Sequence, residues 1–126
     1  MRPGLSRLGE LTYAAMRIVA ALIYFCHGLQ KVFGAFGGHV MPLTSLMGVA
    51  GLIETILGPL IAIGLLTPWA AFIGSGEMAA AYFKAHAPRG PLPIENGGEL
   101  AVILCFVFLY IATQGGGRYS VDGRGR

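Results

Sequence analysis

Charge is what this sequence has least of. Only 12% of its residues are Asp, Glu, Lys or Arg, about half the share found in ordinary soluble domains. Disorder is excluded all the same, because 55% of the residues are apolar, mean hydropathy is +0.67, and a disordered chain needs the opposite balance. Cysteine is also scarce. The two present form no Cys-x-x-Cys pair, so a thiol oxidoreductase of that type is not supported. The 20 glycines keep no strict period of three, which rules out a collagen-like chain. No long internal repeat is evident, so nothing suggests an inverted-repeat transporter. A length of 126 residues leaves room for one domain. The class that survives is a small integral membrane protein with several spans.

The net charge of +3 does not indicate a nucleic-acid partner. Arg2 and Arg7 precede the first apolar run, and Arg118, Arg124 and Arg126 follow the last. No basic helix with interleaved aromatics is present to grip phosphates. Positive charge flanking apolar runs is what the positive-inside rule produces, so the partner is the lipid bilayer. The first apolar run is interrupted by Arg17 and His27 and ends in no Ala-x-Ala site. It therefore reads as a retained span and not as a signal peptide.

Four apolar segments are predicted, at about 12–33, 44–66, 68–86 and 97–113, with a polar tail over 114–126. Each is close to the roughly 17–25 residues that cross a bilayer. Thr67-Pro68 forces a tight hairpin between the second and third segments, with Pro68 in the first helical turn. The first connection is the glycine-rich GAFGGHVMP. The last, APRGPLPIENGG, carries three prolines and is the least regular. The tail GGGRYSVDGRGR reads as extended. These lengths predict an all-α, up-down-up-down four-helix membrane bundle. Small residues at Gly48, Gly51, Thr55, Gly58 and Ala62, and at Ala70, Gly74, Ala81 and Ala85, permit close helix approach. Five Lys or Arg flank the two termini, none lies at the Thr67 turn, and Lys31, Lys84 and Arg89 lie opposite. That count places both termini in the cytoplasm of a bacterial cell with the spans in its inner membrane.

Arg17, Glu54 and Glu77 interrupt the apolar spans. At about 1.5 Å per residue, Glu54 lies about 18 Å and Glu77 about 15 Å from the Thr67 turn, near the midplane. Each such charge costs on the order of 2.5–3.5 kcal/mol on insertion scales, so all three must face inward and find partners. The simplest arrangement pairs Arg17 with one glutamate. Two carboxylates against one guanidinium then leave a formal −1, which makes Glu54 and Glu77 the candidate proton-exchanging groups.

A second polar group gathers at the outer ends: His27, Gln30, Lys31, His86, Asn96 and Glu99. Arg17, Tyr24 and Lys31 share one face of the first helix, with His27 beside them; Glu99, Phe106 and Tyr110 share a face of the fourth. The candidate ligand-binding set is therefore Arg17, Tyr24, His27, Lys31, Glu54, Glu77, His86, Asn96 and Glu99. The plainer alternative lets Lys31, His86 and Glu99 snorkel into head groups. His27, His39, His86 and Cys26 fit no compact metal-ligand spacing, and a bis-histidine haem is a weaker alternative. Cys26 and Cys105 are rotated away from the charged faces and read as small buried hydrophobes.

Several stretches together resemble the DoxX family of small four-helix membrane proteins. They are Arg17 in the first span, HGLQKVFG, GLIETILGPLIAIGLLTPWAA, His86, ENGGEL and the tail GGGRYSVDG, in that order over nearly the whole chain. The resemblance implies a membrane oxidoreductase subunit associated with quinone and with a soluble or membrane-bound redox enzyme. Fold does not fix function, and two other readings use the same residues. One is a small-solute or proton carrier, for which four spans require a homo-oligomer. The other is a membrane scaffold that recruits a soluble enzyme, its buried charges serving helix register.

Overall fold

The computed structural model describes residues 3–123, with side chains from residue 6 onward. Arg2, Arg124 and Arg126, counted in the orientation argument, lie outside the described residues. The protein is all-α, with 75% of it helical and no strand among the described residues. Five helices follow in order: α1 (Pro3–Phe33), α2 (Leu46–Ile63), α3 (Thr67–Ala81), α4 (Pro93–Asn96) and α5 (Glu99–Gln114). A π-helical turn (Tyr82–His86) and a 3₁₀ turn (Ala87–Arg89) extend α3 toward α4. Ser6–Phe33 and Leu46–Ile63 are long and apolar enough to cross a membrane, while α5 is a shorter apolar helix.

The ends of α2 follow from local chemistry. Ser45 Oγ accepts from Gly48 N at 3.1 Å, satisfying one of the orphan donors at the helix start. At the other end Gly64 adopts φ +74°, the left-handed cap that glycine takes without strain. Leu66 follows with φ +53°, and Pro68 enters the first turn of α3. The tight hairpin expected at Thr67-Pro68 is thus formed.

Small residues decide how closely α1 and α2 approach. A Cβ on Gly28 would lie 2.7 Å from Thr55 N, and one on Gly58 would lie 2.7 Å from Phe25 Cβ. Only glycine fits at either point. α3 packs along α5, α2 meets α3, and α1 touches α5 sparsely. The interior is built from Ala20, Ala21, Tyr24, Ile61, Ala71, Leu104, Phe108 and Ile111. Large apolar side chains cover the outside: Trp69 is 73% exposed and Phe106 64%. A belt of that kind is costly in water and ordinary in lipid.

Two expectations are corrected here. The tail is not extended. It folds back so that Val121 N donates to Ile63 O at 3.0 Å and Asp122 N to Gly64 O at 2.9 Å, while Asp122 accepts from Leu66 N and Thr67 N at 3.0 and 2.8 Å. Asp122 therefore caps the start of α3, where the helix dipole favours a carboxylate. The Glu99–Phe106–Tyr110 stripe also fails to face inward. Its three residues are exposed, and α5 instead buries Ala101, Leu104, Phe108 and Ile111.

Candidate functional site

α1 carries three inward polar groups seven residues apart. Arg17 is 1% exposed, Tyr24 is fully buried, and the Lys31 side chain is 17% exposed. The shared face read from spacing is therefore present, but its members serve different ends of the molecule.

Arg17 pairs with neither glutamate. Its guanidinium donates to Ile61 O at 3.0 Å, Gly116 O at 2.5 Å, Ala62 O at 3.2 Å and Tyr119 O at 2.9 Å. It binds the carbonyl end of α2 and the tail at once, a position that suits a cation at a helix C-terminus. The planar fork of donors is what lets one side chain reach four acceptors. Tyr13 joins the same end by donating to Gly115 O at 2.6 Å. The expected Arg17–glutamate pair is thus replaced by a backbone clamp.

Lys31 holds the partnership assigned to Arg17. Its Nζ lies 2.9 Å from both Oε1 and Oε2 of Glu54, a carboxylate with no exposed surface. Tyr24 donates to Glu77 Oε1 at 2.8 Å. Glu77 lies within electrostatic reach of Glu54 and Lys31, so the four groups form one cluster. The second oxygen of Glu77, Oε2, is buried and has no hydrogen-bond partner. Lys31 does not simply snorkel.

Beside the cluster is a cavity of about 160 Å³ lined by Tyr24, His27, Lys31, Glu54 and His86 on its polar side. Met78, Leu100, Ala101 and Leu104 supply an apolar wall. Residues of α1, α2, α3, the π-helical turn and α5 therefore line one cavity. Leu100 and Leu104 escaped the sequence reading, although their i,i+4 spacing offered a signal. His86 is delivered by the π-helical turn, a local irregularity that often re-aims side chains at sites; its Nδ1 lies 3.3 Å from Asn96 O.

Asn96 and Glu99 stand apart from the cavity lining. Asn96 is buried and ties the proline-rich loop together. Its Nδ2 donates to Tyr82 Oη and Gly90 O, each at 3.0 Å, and its Oδ1 accepts from Gly98 N at 2.9 Å. Glu99 is exposed at the start of α5. No cluster of three or more His, Cys, Asp or Glu side chains suited to a metal occurs among the described residues.

Both cysteines are free thiols. Cys26 is not the buried hydrophobe expected but is exposed on the outside of α1, whereas half-buried Cys105 lies with its Sγ 3.5 Å from Ser75 Oγ at the contact of α3 and α5. Neither lines the cavity. Replacing both by alanine is expected to change stability by about 1 kcal/mol or less, the range for small side chains outside special features. Melting temperature and ligand retention of the double variant check this. A loss of retention with normal folding would bring the thiols into the site.

The DoxX family model matches residues 12–87, more than half of the chain and inclusive of all the cavity's polar side chains. A protein of Haemophilus influenzae described as uncharacterized is 41% identical over 118 residues, which is 88% of each chain. No solved structure matches.

Proposed function

This chain belongs to the DoxX family of membrane proteins, and from that premise we propose that it is a small subunit of a membrane oxidoreductase system whose cavity receives the ring of a quinone-type amphiphile. One observation carries the reading: a ring-sized cavity with one apolar wall meets a buried charged cluster that still has hydrogen-bonding capacity. An apolar cavity of about 150 Å³ holds a single benzene-sized ring, and this one measures about 160 Å³. Met78, Leu100 and Leu104 suit the faces of such a ring, and the polar side suits its oxygens.

The roles follow from valence. An ammonium has three donors, and Glu54 takes two of those of Lys31, leaving one for a ring oxygen. Lys31 is thus the cation placed to stabilise a ring oxygen. Glu77 does not line the cavity but accepts from Tyr24, which does; with Oε2 unpartnered, it is the group assigned to exchange a proton by way of Tyr24. Reduction of a quinone takes two electrons and two protons. The electrons come from a redox-enzyme partner, and the protons pass through Glu77 and Glu54.

The supporting scaffold is an up-down-up-down bundle in the bacterial inner membrane with both termini cytoplasmic. Arg17, Tyr13 and the Leu66-Thr67 turn all bind the tail, which gathers the first part of α1, the α2–α3 hairpin and the tail residues Gly115–Asp122 at one end. Arg7 and Arg118 belong to that end, as the positive-inside rule requires.

Protein purified in mild detergent is expected to carry a quinone into a solvent extract, and added decylubiquinone is expected to raise its melting temperature. Glu77→Gln should keep the fold and lower retention about tenfold, since the amide preserves the Tyr24 bond and removes the titratable oxygen. Glu99→Ala should leave retention unchanged. No quinone in the extract and no shift with decylubiquinone would overturn this reading in favour of the scaffold.

A further inference from the structure

The polar cavity has a neighbour on the bilayer face of α1. There a hollow of about 330 Å³ is lined by Val19, Leu22, Ile23, Cys26, Gln30 and Phe36. His27 lines this hollow and the inner cavity alike. The two chambers differ in chemistry. The inner one holds the Lys31–Glu54 ion pair, whereas Gln30 is the one amide among the largely apolar side chains of the outer.

The surrounding packing leaves that side open. Gly28, next to His27, is pressed against Thr55 of α2, so α1 is seated firmly there. α1 and α5 meet only sparsely, although α5 supplies Leu100 and Leu104 to the inner cavity. An occupant whose ring fills the inner chamber meets the apolar outer hollow at His27, which lines both.

We propose that His27 marks a lateral portal through which the ligand enters from the lipid phase, its ring in the inner cavity and its hydrocarbon chain in the outer hollow. This deepens the quinone reading above and rests on it. It assigns a ligand class, a ring-headed lipid with a chain, and gives the outward face of α1 a role that the buried cluster alone would not require. A water-borne, chainless ring would have no use for the outer hollow.

Two fully substituted benzoquinones serve as probes, since neither offers a ring position to thiols: decylubiquinone, with a chain, and duroquinone, without one. Cys26 lies in the outer hollow and reports directly on it. In Cys105→Ala protein in phosphatidylcholine nanodiscs, decylubiquinone is expected to slow labelling of Cys26 by a fluorescent maleimide about fivefold. Duroquinone at equal occupancy should leave the rate unchanged. Ile23→Trp, one turn before His27, is expected to weaken decylubiquinone about tenfold by blocking the outlet. It should leave duroquinone binding within about twofold. Should Ile23→Trp fail to assemble, the labelling result decides alone. If decylubiquinone binds, yet neither shields Cys26 nor responds selectively to Ile23→Trp, the portal is wrong and the quinone reading stands. If neither probe stabilises the wild-type protein, the quinone reading falls and the portal with it.

Discussion

Lys31→Met is expected to destabilise the protein by about 3–5 kcal/mol, the cost of leaving one member of a buried ion pair uncompensated. Glu54 has no exposed surface, and both of its oxygens accept from Lys31 Nζ. Methionine preserves the unbranched shape of the stem, so the loss reports on charge and not on packing. Adding Glu54→Gln to Lys31→Met should recover much of the loss, because a neutral amide costs far less to bury than a carboxylate. Glu54→Gln alone should be milder than Lys31→Met, since the ammonium keeps one acceptor and partial exposure. Thermal unfolding in detergent of the two single variants and the double variant forms a complete cycle. A double variant no better than Lys31→Met would show that the pair is not the stabilising unit.

The swap of partners shows where sequence reasoning reaches its limit. Helical spacing places Arg17, Tyr24 and Lys31 on one inward face, and they are there. Spacing within one helix does not reveal its register against the next. That register is fixed by glycine contacts: a Cβ on Gly28 would meet Thr55, one on Gly58 would meet Phe25, and one on Gly51 would meet Lys31. Three residues forward along α1 correspond to about three back along α2. Glu54 therefore lies beside the turn that carries Lys31, and Arg17 lies beside the end of α2. Gly28 was the informative residue, and only a pairing of helices makes it so.

The stripe on α5 misled for a different reason. In lipid both faces of a helix are apolar, so hydrophobic periodicity loses the contrast it has in water. Phe106 and Tyr110 face outward while Ala101, Leu104, Phe108 and Ile111 pack inward. The residue sizes carry the better signal, because a small residue at Ala101 permits approach of α3. The tail was illegible for a third reason. A glycine-rich segment has no period at all, and its fold depends on Asp122 and Arg17, more than a hundred positions apart, finding partners at the same helix ends.

Arg17→Leu is expected to cost about 3–5 kcal/mol, with the tail as the first casualty. An unsatisfied buried carbonyl costs about 1–3 kcal/mol, and this substitution removes a donor from four of them. Ile61 O keeps a second donor in Gly64 N, which is why the total falls below four full penalties. Arg17→Lys keeps the charge but replaces a planar fork by a point donor, so it should restore less than half of the loss. Hydrogen exchange distinguishes this clamp from a general electrostatic effect. The amides of Val121 and Asp122 donate to Ile63 and Gly64 in the docked tail, and both should lose protection in Arg17→Leu. Amides in the middle of α2 should keep theirs, because Arg17 touches only its last turn. The Lys31–Glu54 cluster belongs to the other half of α2, so decylubiquinone binding should persist once the variant is held below its melting temperature. Unchanged protection at Val121 and Asp122 would mean that Asp122 alone docks the tail and that Arg17 serves only the end of α2. Loss of decylubiquinone binding in a folded Arg17→Leu protein would instead tie the two ends of the molecule into one site, as the pairing of Arg17 with a glutamate would have required.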